Sequence, residues 1–208
     1  SKVERDIGSG KVESLKRQTS KIAIFLDRDG TINQEVNHLS NVDQFKLIDG
    51  VGEAICRINA AGVLAVVVTN QPVIARGELK ESELRAIHNK MDTLLGEQGA
   101  YVDRLYYCPH HTDSGFEGEV AELKFDCDCR KPKTGMFEQA KEDLNIVLER
   151  SWMVGDSYRD IFAAQRVGMK SVLVQTGYAG KDSYKNVNPD FVVQDLRAAV
   201  GVILKESE

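Results

Sequence analysis

The chain alternates short, unbroken apolar runs with longer stretches in which apolar residues recur every three or four positions. Ile22-Ala23-Ile24-Phe25-Leu26 is the first such run and Leu64-Ala65-Val66-Val67-Val68-Thr69 the second. Asp103–Cys108, Ser151–Val154, Ser171–Val174 and Phe191–Val193 continue the series. Runs of this length and composition predict strands buried on both faces. Helical periodicity covers about 50–61, 80–97, 134–145, 158–167 and 195–205. Gly62 and Gly168 stand where the first and fourth of these helices should stop. Strands alternating with helices predict an α/β fold, a doubly wound parallel sheet covered on both faces. Such a sheet offers its ligand site at the carboxyl ends of the strands.

Composition narrows the class. A chain of 208 residues can bury one sizeable core or at most two small ones. Residues 1–20 carry almost no apolar periodicity and read as a tail or linker, leaving 21–208 as the folded domain. The chain begins at Ser1, which reads as a processed or excised piece. The net charge of −5 is no footprint for nucleic acid. No apolar run approaches the roughly 20 residues needed to span a bilayer. The N-terminus lacks the apolar core of a signal peptide. A cytoplasmic protein that binds neither nucleic acid nor membrane is the expectation.

The residues just after each apolar run change the picture. Asp27 and Asp29 come after the first, and side chains two apart in near-extended backbone point the same way. Thr69-Asn70-Gln71 ends the second, and Gly155-Asp156-Ser157-Tyr158-Arg159-Asp160 comes after the fourth. Cys127-Asp128-Cys129-Arg130-Lys131-Pro132 precedes the helix near 134–145. Each alone is commonplace as a turn, a helix cap or a solvated loop. Their shared placement at one sheet edge is not, and its logic is phosphoryl transfer. A phosphate dianion repels a carboxylate nucleophile unless positive charge intervenes. Mg²⁺ suits one or two carboxylates plus phosphate oxygen and water. Asp27 and Asp156 are its natural ligands here, with the backbone carbonyl of Asp29. Lys131 adds a fixed cation and Thr69 a hydroxyl donor. A carboxylate nucleophile gives an aspartyl-phosphate, and a second carboxylate protonates the leaving oxygen.

Cys108-x-His110 and Cys127-x-Cys129 form a second constellation. Soft thiolates with an imidazole make a closed tetrahedral zinc site of the structural kind. Three readings compete: a local Cys127–Cys129 disulfide, isolated thiols, and His111 replacing His110 as ligand. Zinc would pin the polar excursion over 109–130 and place Arg130 and Lys131 over the phosphate. Cys56, in an amphipathic pattern, reads as core filler.

The segments Asp27-Arg28-Asp29-Gly30-Thr31, Thr69-Asn70-Gln71, Arg130-Lys131-Pro132 and Gly155–Asp160 resemble the four motifs of haloacid-dehalogenase-superfamily phosphatases. The resemblance covers about residues 22–195 and implies a Rossmann-like core. It implies Asp27 as nucleophile, Asp29 as acid/base, Thr69 and Lys131 as phosphate ligands and Asp156 as a Mg²⁺ ligand. Asp160 would support them from behind. The Cys-x-His and Cys-x-Cys-Arg-Lys-Pro pair is similar to the D,D-heptose 1,7-bisphosphate and histidinol-phosphate phosphatases. No large cap domain is apparent, so the zinc loop is the expected cover.

Within that subgroup, Ile74-Ala75-Arg76-Gly77 and Tyr106–His111 resemble the heptose enzymes. The resemblance implies substrate contacts from Asn37 and His38 after the first motif, from Asn70, Gln71 and Arg76, and from Arg130. Pro72-Val73, Glu35–His38 and Ser157 depart from the family's usual residues and leave the chemistry intact. Val3–Val12 resembles the end of a sugar-phosphate nucleotidyltransferase domain, which implies a fusion partner upstream. The leading expectation is a Mg²⁺-dependent phosphatase removing the C7 phosphate of a heptose 1,7-bisphosphate. A histidinol-phosphate phosphatase is the alternative within enzymes, and a catalytically inert zinc-stabilised interaction domain the alternative outside them.

Overall fold

The computed structural model describes residues 20–184 and 186–207. The expected linker and the nucleotidyltransferase-like segment therefore lie, but for Ser20, outside the described residues. Among these residues six strands form one sheet: β1 (Ala23–Leu26), β2 (Leu64–Asn70), β3 (Arg104–Cys108), β4 (Trp152–Gly155), β5 (Lys170–Val174) and β6 (Phe191–Val193). Their order is β3-β2-β1-β4-β5-β6, and every neighbouring pair is parallel. Five α-helices connect or follow them: α1 (Val51–Ala60), α2 (Glu81–Glu97), α3 (Gly135–Leu144), α4 (Tyr158–Arg166) and α5 (Leu196–Glu206). Each apolar run and each helical period read from the sequence is one of these elements.

The period-two alternation of the strands sorts the core into two layers. Ile24 and Leu26, Ala65 and Val67, and Trp152 and Val154 face the layer that holds α1, α2 and α5. Phe25, Val66, Val68 and Met153 face the layer that holds α3 and α4. There Phe25 meets Phe137 edge-on, ring centroids 5.1 Å apart, a preferred aromatic geometry. The sheet is buried on both faces, as its unbroken apolar strands require.

Topology places the site. The chain builds outward from β1 to β3, then returns to lay β4 against the other side of β1. Connections leave in opposite directions at this switch point, so a crevice opens beyond the carboxyl ends of β1 and β4. The amide of Asp27 donates to the carbonyl of Val154 there, at 3.0 Å. The connection from β1 to α1 is too short for a cap domain, and the long excursion between β3 and α3 brings Arg130 and Lys131, at its end, to the crevice. Among the described residues no helix is long and apolar enough to cross a membrane.

Candidate active site

Asp27 is the first residue beyond β1. Lys131 Nζ donates to Asp27 Oδ1 at 2.9 Å and to the carbonyl of Val68 at 2.8 Å. It also lies 2.7 Å from Asp160 Oδ1. Asn70, at the end of β2, fixes the lysine's backbone. Its Oδ1 accepts from the Lys131 amide at 2.9 Å, and its Nδ2 donates to the Lys131 carbonyl at 3.0 Å. Asp160 lies in the first turn of α4, where its carboxylate accepts from the Ser157 hydroxyl at 3.2 Å. Burial alone would lower the ammonium's pKa, but Asp160 and Asp27 outweigh it and raise it.

Asp156 follows β4 and sits in a cradle made by glycines. At Gly30, whose φ is +79°, a Cβ would stand 2.1 Å from Asp156 Oδ2. Only glycine adopts that backbone and leaves that space. The segment after β5 closes the other side: the Tyr178 amide donates to Asp156 Oδ2 at 2.8 Å, and the Gly180 amide to its carbonyl at 2.8 Å. Asp182 in the same segment accepts from the amides of Tyr158 and Arg159 at the start of α4. The polar stretch near 178–184 is thus a wall of the site.

Three carboxylates meet one ammonium here. Oxygens of Asp27, Asp156 and Asp160 all lie within 4.8 Å of one another. Burial, then the charges of Asp27 and Asp160, push the Asp156 carboxyl up to about 9. Burial and Asp160 push Asp27 up to about 6 despite Lys131. Excess negative charge on a purely oxygen donor set fits a hard divalent cation. All three carboxylates could hold it: Lys131 engages both Asp27 and Asp160, and Asp160 alone also accepts from Ser157.

Asp29 is held differently. Its Oδ1 accepts from Arg28 Nη2 at 2.7 Å and Asn33 Nδ2 at 2.9 Å, and its Oδ2 from Gln71 Nε2 at 2.9 Å. Burial would raise its pKa, yet the Arg28 charge and these three bonds bring it below the usual carboxylate range. Gln71 Nε2 also donates to the Thr69 hydroxyl at 2.9 Å; Thr69, expected to bind phosphate, is buried and does not line the cavity.

A cavity of 430 Å³ opens from Asp27 and Asp29. Asn37, His38, Asn70, Gln71, Arg76 and Arg130 line it, as do Arg159, which lies in the fourth motif with no role assigned to it, and Tyr178 and Lys181, which lie outside the motifs. Arg76 Nη1 lies 2.8 Å from His38 Nε2, and His38 Nδ1 3.2 Å from Glu78 Oε2. A guanidinium only donates, so His38 Nε2 accepts and its Nδ1–H faces the carboxylate. Arg76 also lies over the Phe116 ring at 5.1 Å, while its buried Nε has no partner among the described residues. Burial, then the positive charges of Arg159 and Arg76, lower the pKa of Arg130. These guanidinium groups therefore lie near one another at the cavity, and among the described residues none of them is in an ion pair with a carboxylate.

The four soft donors also converge. Sγ of Cys108 lies 3.5 Å from that of Cys127, Cys129 Sγ lies 3.4 Å from Cys127 Sγ, and His110 Nδ1 lies 3.2 Å from Cys129 Sγ. All four cysteines are free thiols, so the local disulfide does not form. His111 turns away: its Nδ1 accepts from the Asp113 amide at 2.9 Å, and its Nε2 lies 3.3 Å from Arg76 Nη2. Three sulfurs and one imidazole about a common centre fit zinc. The cluster ties the end of β3 to the residues just before Arg130 and Lys131.

Comparison with known proteins agrees with this geometry. The family described as HAD-hydrolase-like matches residues 128–199. A D-glycero-β-D-manno-heptose-1,7-bisphosphate 7-phosphatase of Haemophilus ducreyi is 46% identical over 76% of this chain and 86% of its own length. One from an Escherichia coli O6:H1 strain is 41% identical over 89% of this chain and 96% of its own. Among solved structures, D,D-heptose 1,7-bisphosphate phosphatase from B. bronchiseptica, complexed with magnesium and phosphate, superposes with a TM-score of 0.76 at 34% identity. The match covers 89% of this chain and 99% of that one. The chain thus belongs to the haloacid-dehalogenase-like hydrolases, in their heptose-bisphosphate phosphatase subgroup.

Proposed function

We propose that this enzyme, a phosphoric monoester hydrolase, removes the C7 phosphate of D-glycero-D-manno-heptose 1,7-bisphosphate and leaves the 1-phosphate. The observation that carries the reading is one cavity joining a phosphoryl-transfer centre at Asp27 to the guanidinium groups of Arg76, Arg130 and Arg159. A bisphosphate has an anion for each end. A histidinol phosphate would leave the arginines without one.

Asp27 attacks phosphorus as the P–O ester bond breaks, and Asp29, which must first take up a proton against the pull of Arg28, delivers it to the departing sugar oxygen. Water, giving its proton to the Asp29 carboxylate, then attacks the aspartyl-phosphate and releases inorganic phosphate. Lys131 fixes Asp27 and faces the transferring group. Mg²⁺, held by Asp27 and Asp156 with the Asp29 carbonyl, supplies the positive charge that lets a carboxylate approach a phosphate dianion. Zinc at Cys108, His110, Cys127 and Cys129 holds the loop that carries Arg130.

The folded domain spans residues 21–208 and works on a cytoplasmic sugar phosphate, with 1–20 as the linker to a nucleotidyltransferase domain. The length of the native reading frame tests the linker. A panel of sugar mono- and bisphosphates with released phosphate measured tests the substrate. The heptose 1,7-bisphosphate should lead it, and a several-hundredfold preference for histidinol phosphate would reverse the assignment.

A further inference from the structure

The first motif contains a cation that neither chemical step uses. Arg28 stands between the two aspartates, and its side chain is fully buried. Its Nη2 donates to Asp29 Oδ1 at 2.7 Å, while its Nη1 lies 3.0 Å from Nε2 of His88 on α2. Because a guanidinium has only donors, His88 Nε2 accepts, and the ring is neutral with its proton on Nδ1. Burial first, and the Arg28 charge second, hold the ring neutral, its pKa lowered to about 3. The Tyr107 ring of β3 lies beside it, centroids 6.2 Å apart. Arg28 Nε has no partner among the described residues. The orientation of this guanidinium therefore rests on Asp29 at one side and His88 at the other.

We propose that His88 is a positioning residue for the reaction: accepting from Arg28, it turns the guanidinium so that Nη2 meets Asp29 and fixes that carboxylate beside the departing oxygen. The inference rests on the reading of Asp29 as acid/base. Arg28 and Asn33 anchor Oδ1, and Gln71 anchors Oδ2. An acid that delivers its proton as the P–O bond breaks, and then takes one from the attacking water, must stay in place through both steps. Misplacement by about 1 Å is enough to lower a rate on the order of 100-fold. A helix outside the cavity thus reaches the catalytic carboxyl through two side chains.

The test compares His88→Leu, which cannot accept a hydrogen bond, with His88→Gln, whose amide oxygen can. On a sugar phosphate, His88→Leu should lower kcat about 30-fold with KM unchanged within about twofold. His88→Gln should recover the rate to within about threefold of the parent. With 4-nitrophenyl phosphate, whose leaving group needs no proton, the burst of nitrophenolate in His88→Leu should keep the parental rate while steady-state turnover falls. Parental kcat in His88→Leu, equal losses in both variants, or a change confined to KM would overturn the proposal. Asp29→Asn, assayed alongside, separates the two ideas. If it loses activity while His88→Leu does not, only the role of His88 fails. If Asp29→Asn keeps the parental rate, the acid/base reading fails and takes the inference with it.

Discussion

Lys131 Nζ and Asp160 Oδ1 lie 2.7 Å apart, and each side chain is only 2% exposed. The pair keeps the ammonium turned toward Asp27 across the end of the sheet. Lys131→Met would leave two buried carboxylates without their cation. Breaking a buried ion pair from one side costs about 3–5 kcal/mol, and losing a charge aimed at the transferring group removes at least ~100-fold in rate. Thermal unfolding and kcat measured together should show both losses. A variant that keeps kcat would remove Lys131 from the reaction.

Asp27→Asn should abolish turnover, because an amide cannot form the acyl-phosphate bond. The fold should survive, since Lys131 retains Asp160 and the Val68 carbonyl. Appreciable residual turnover with a parental melting curve would contradict the covalent route.

Metal-free protein should lose stability as pH rises. Folding lifts Asp27 from 3.8 to about 6 and Asp156 from 3.8 to about 9. The folded state therefore binds these protons more tightly than the unfolded state. Their stabilisation is complete below about pH 4, and is lost as pH climbs through 6 and then 9. The lowered pKa of Asp29 acts below that window. In EDTA the melting temperature should fall between about pH 5 and 9, and Mg²⁺ should restore more of it at pH 8 than at pH 5. A Mg²⁺ effect independent of pH would separate the cation from these carboxylates.

Purified protein should carry about one zinc per chain. Cys127→Ser should lose it and raise KM for a bisphosphate, because Arg130 follows directly on the cluster. Activity on a small aryl phosphate should suffer less. Full zinc content in Cys127→Ser would exclude that thiolate as a ligand.

Arg130→Ala should lower kcat/KM for the heptose bisphosphate about 100-fold, through loss of a charge-assisted contact to the second phosphate. A simple aryl phosphate should change by no more than about threefold. Equal losses on both would place Arg130 at the reacting phosphate instead.

The strands are legible in the sequence because each is an unbroken apolar run, which only burial on both faces explains. Asp27 and Asp156 are legible because topology gathers strand ends at one edge, whatever the helices do, and Lys131 through the Arg-Lys-Pro motif that precedes α3. His110 can be told from His111 only by the fold, since both follow the same strand and only one turns toward the sulfurs. Arg28 and His88 give no signal: one looks like a spacer between aspartates, the other like any histidine in an amphipathic helix. Their contact spans 60 positions and exists only once α2 packs against the sheet. Tyr178–Asp182 looks like a solvated loop because its work is done by amide groups and one capping carboxylate. Backbone donors leave no trace in side-chain pattern.

The metal knuckle separates two duties within one excursion. Its four donors lie near the two ends of the segment, at 108–110 and 127–129, so the stretch between them is a closed loop hung from a fixed clasp. Lengthening such a loop adds little closure entropy, about 0.6 kcal/mol for each doubling. Insertions or deletions between 113 and 125 should therefore reach the cavity through Phe116, which lies against Arg76, while the clasp keeps Arg130 and Lys131 in register with Asp27. The scaffold and the selectivity of this enzyme can be altered independently at that seam.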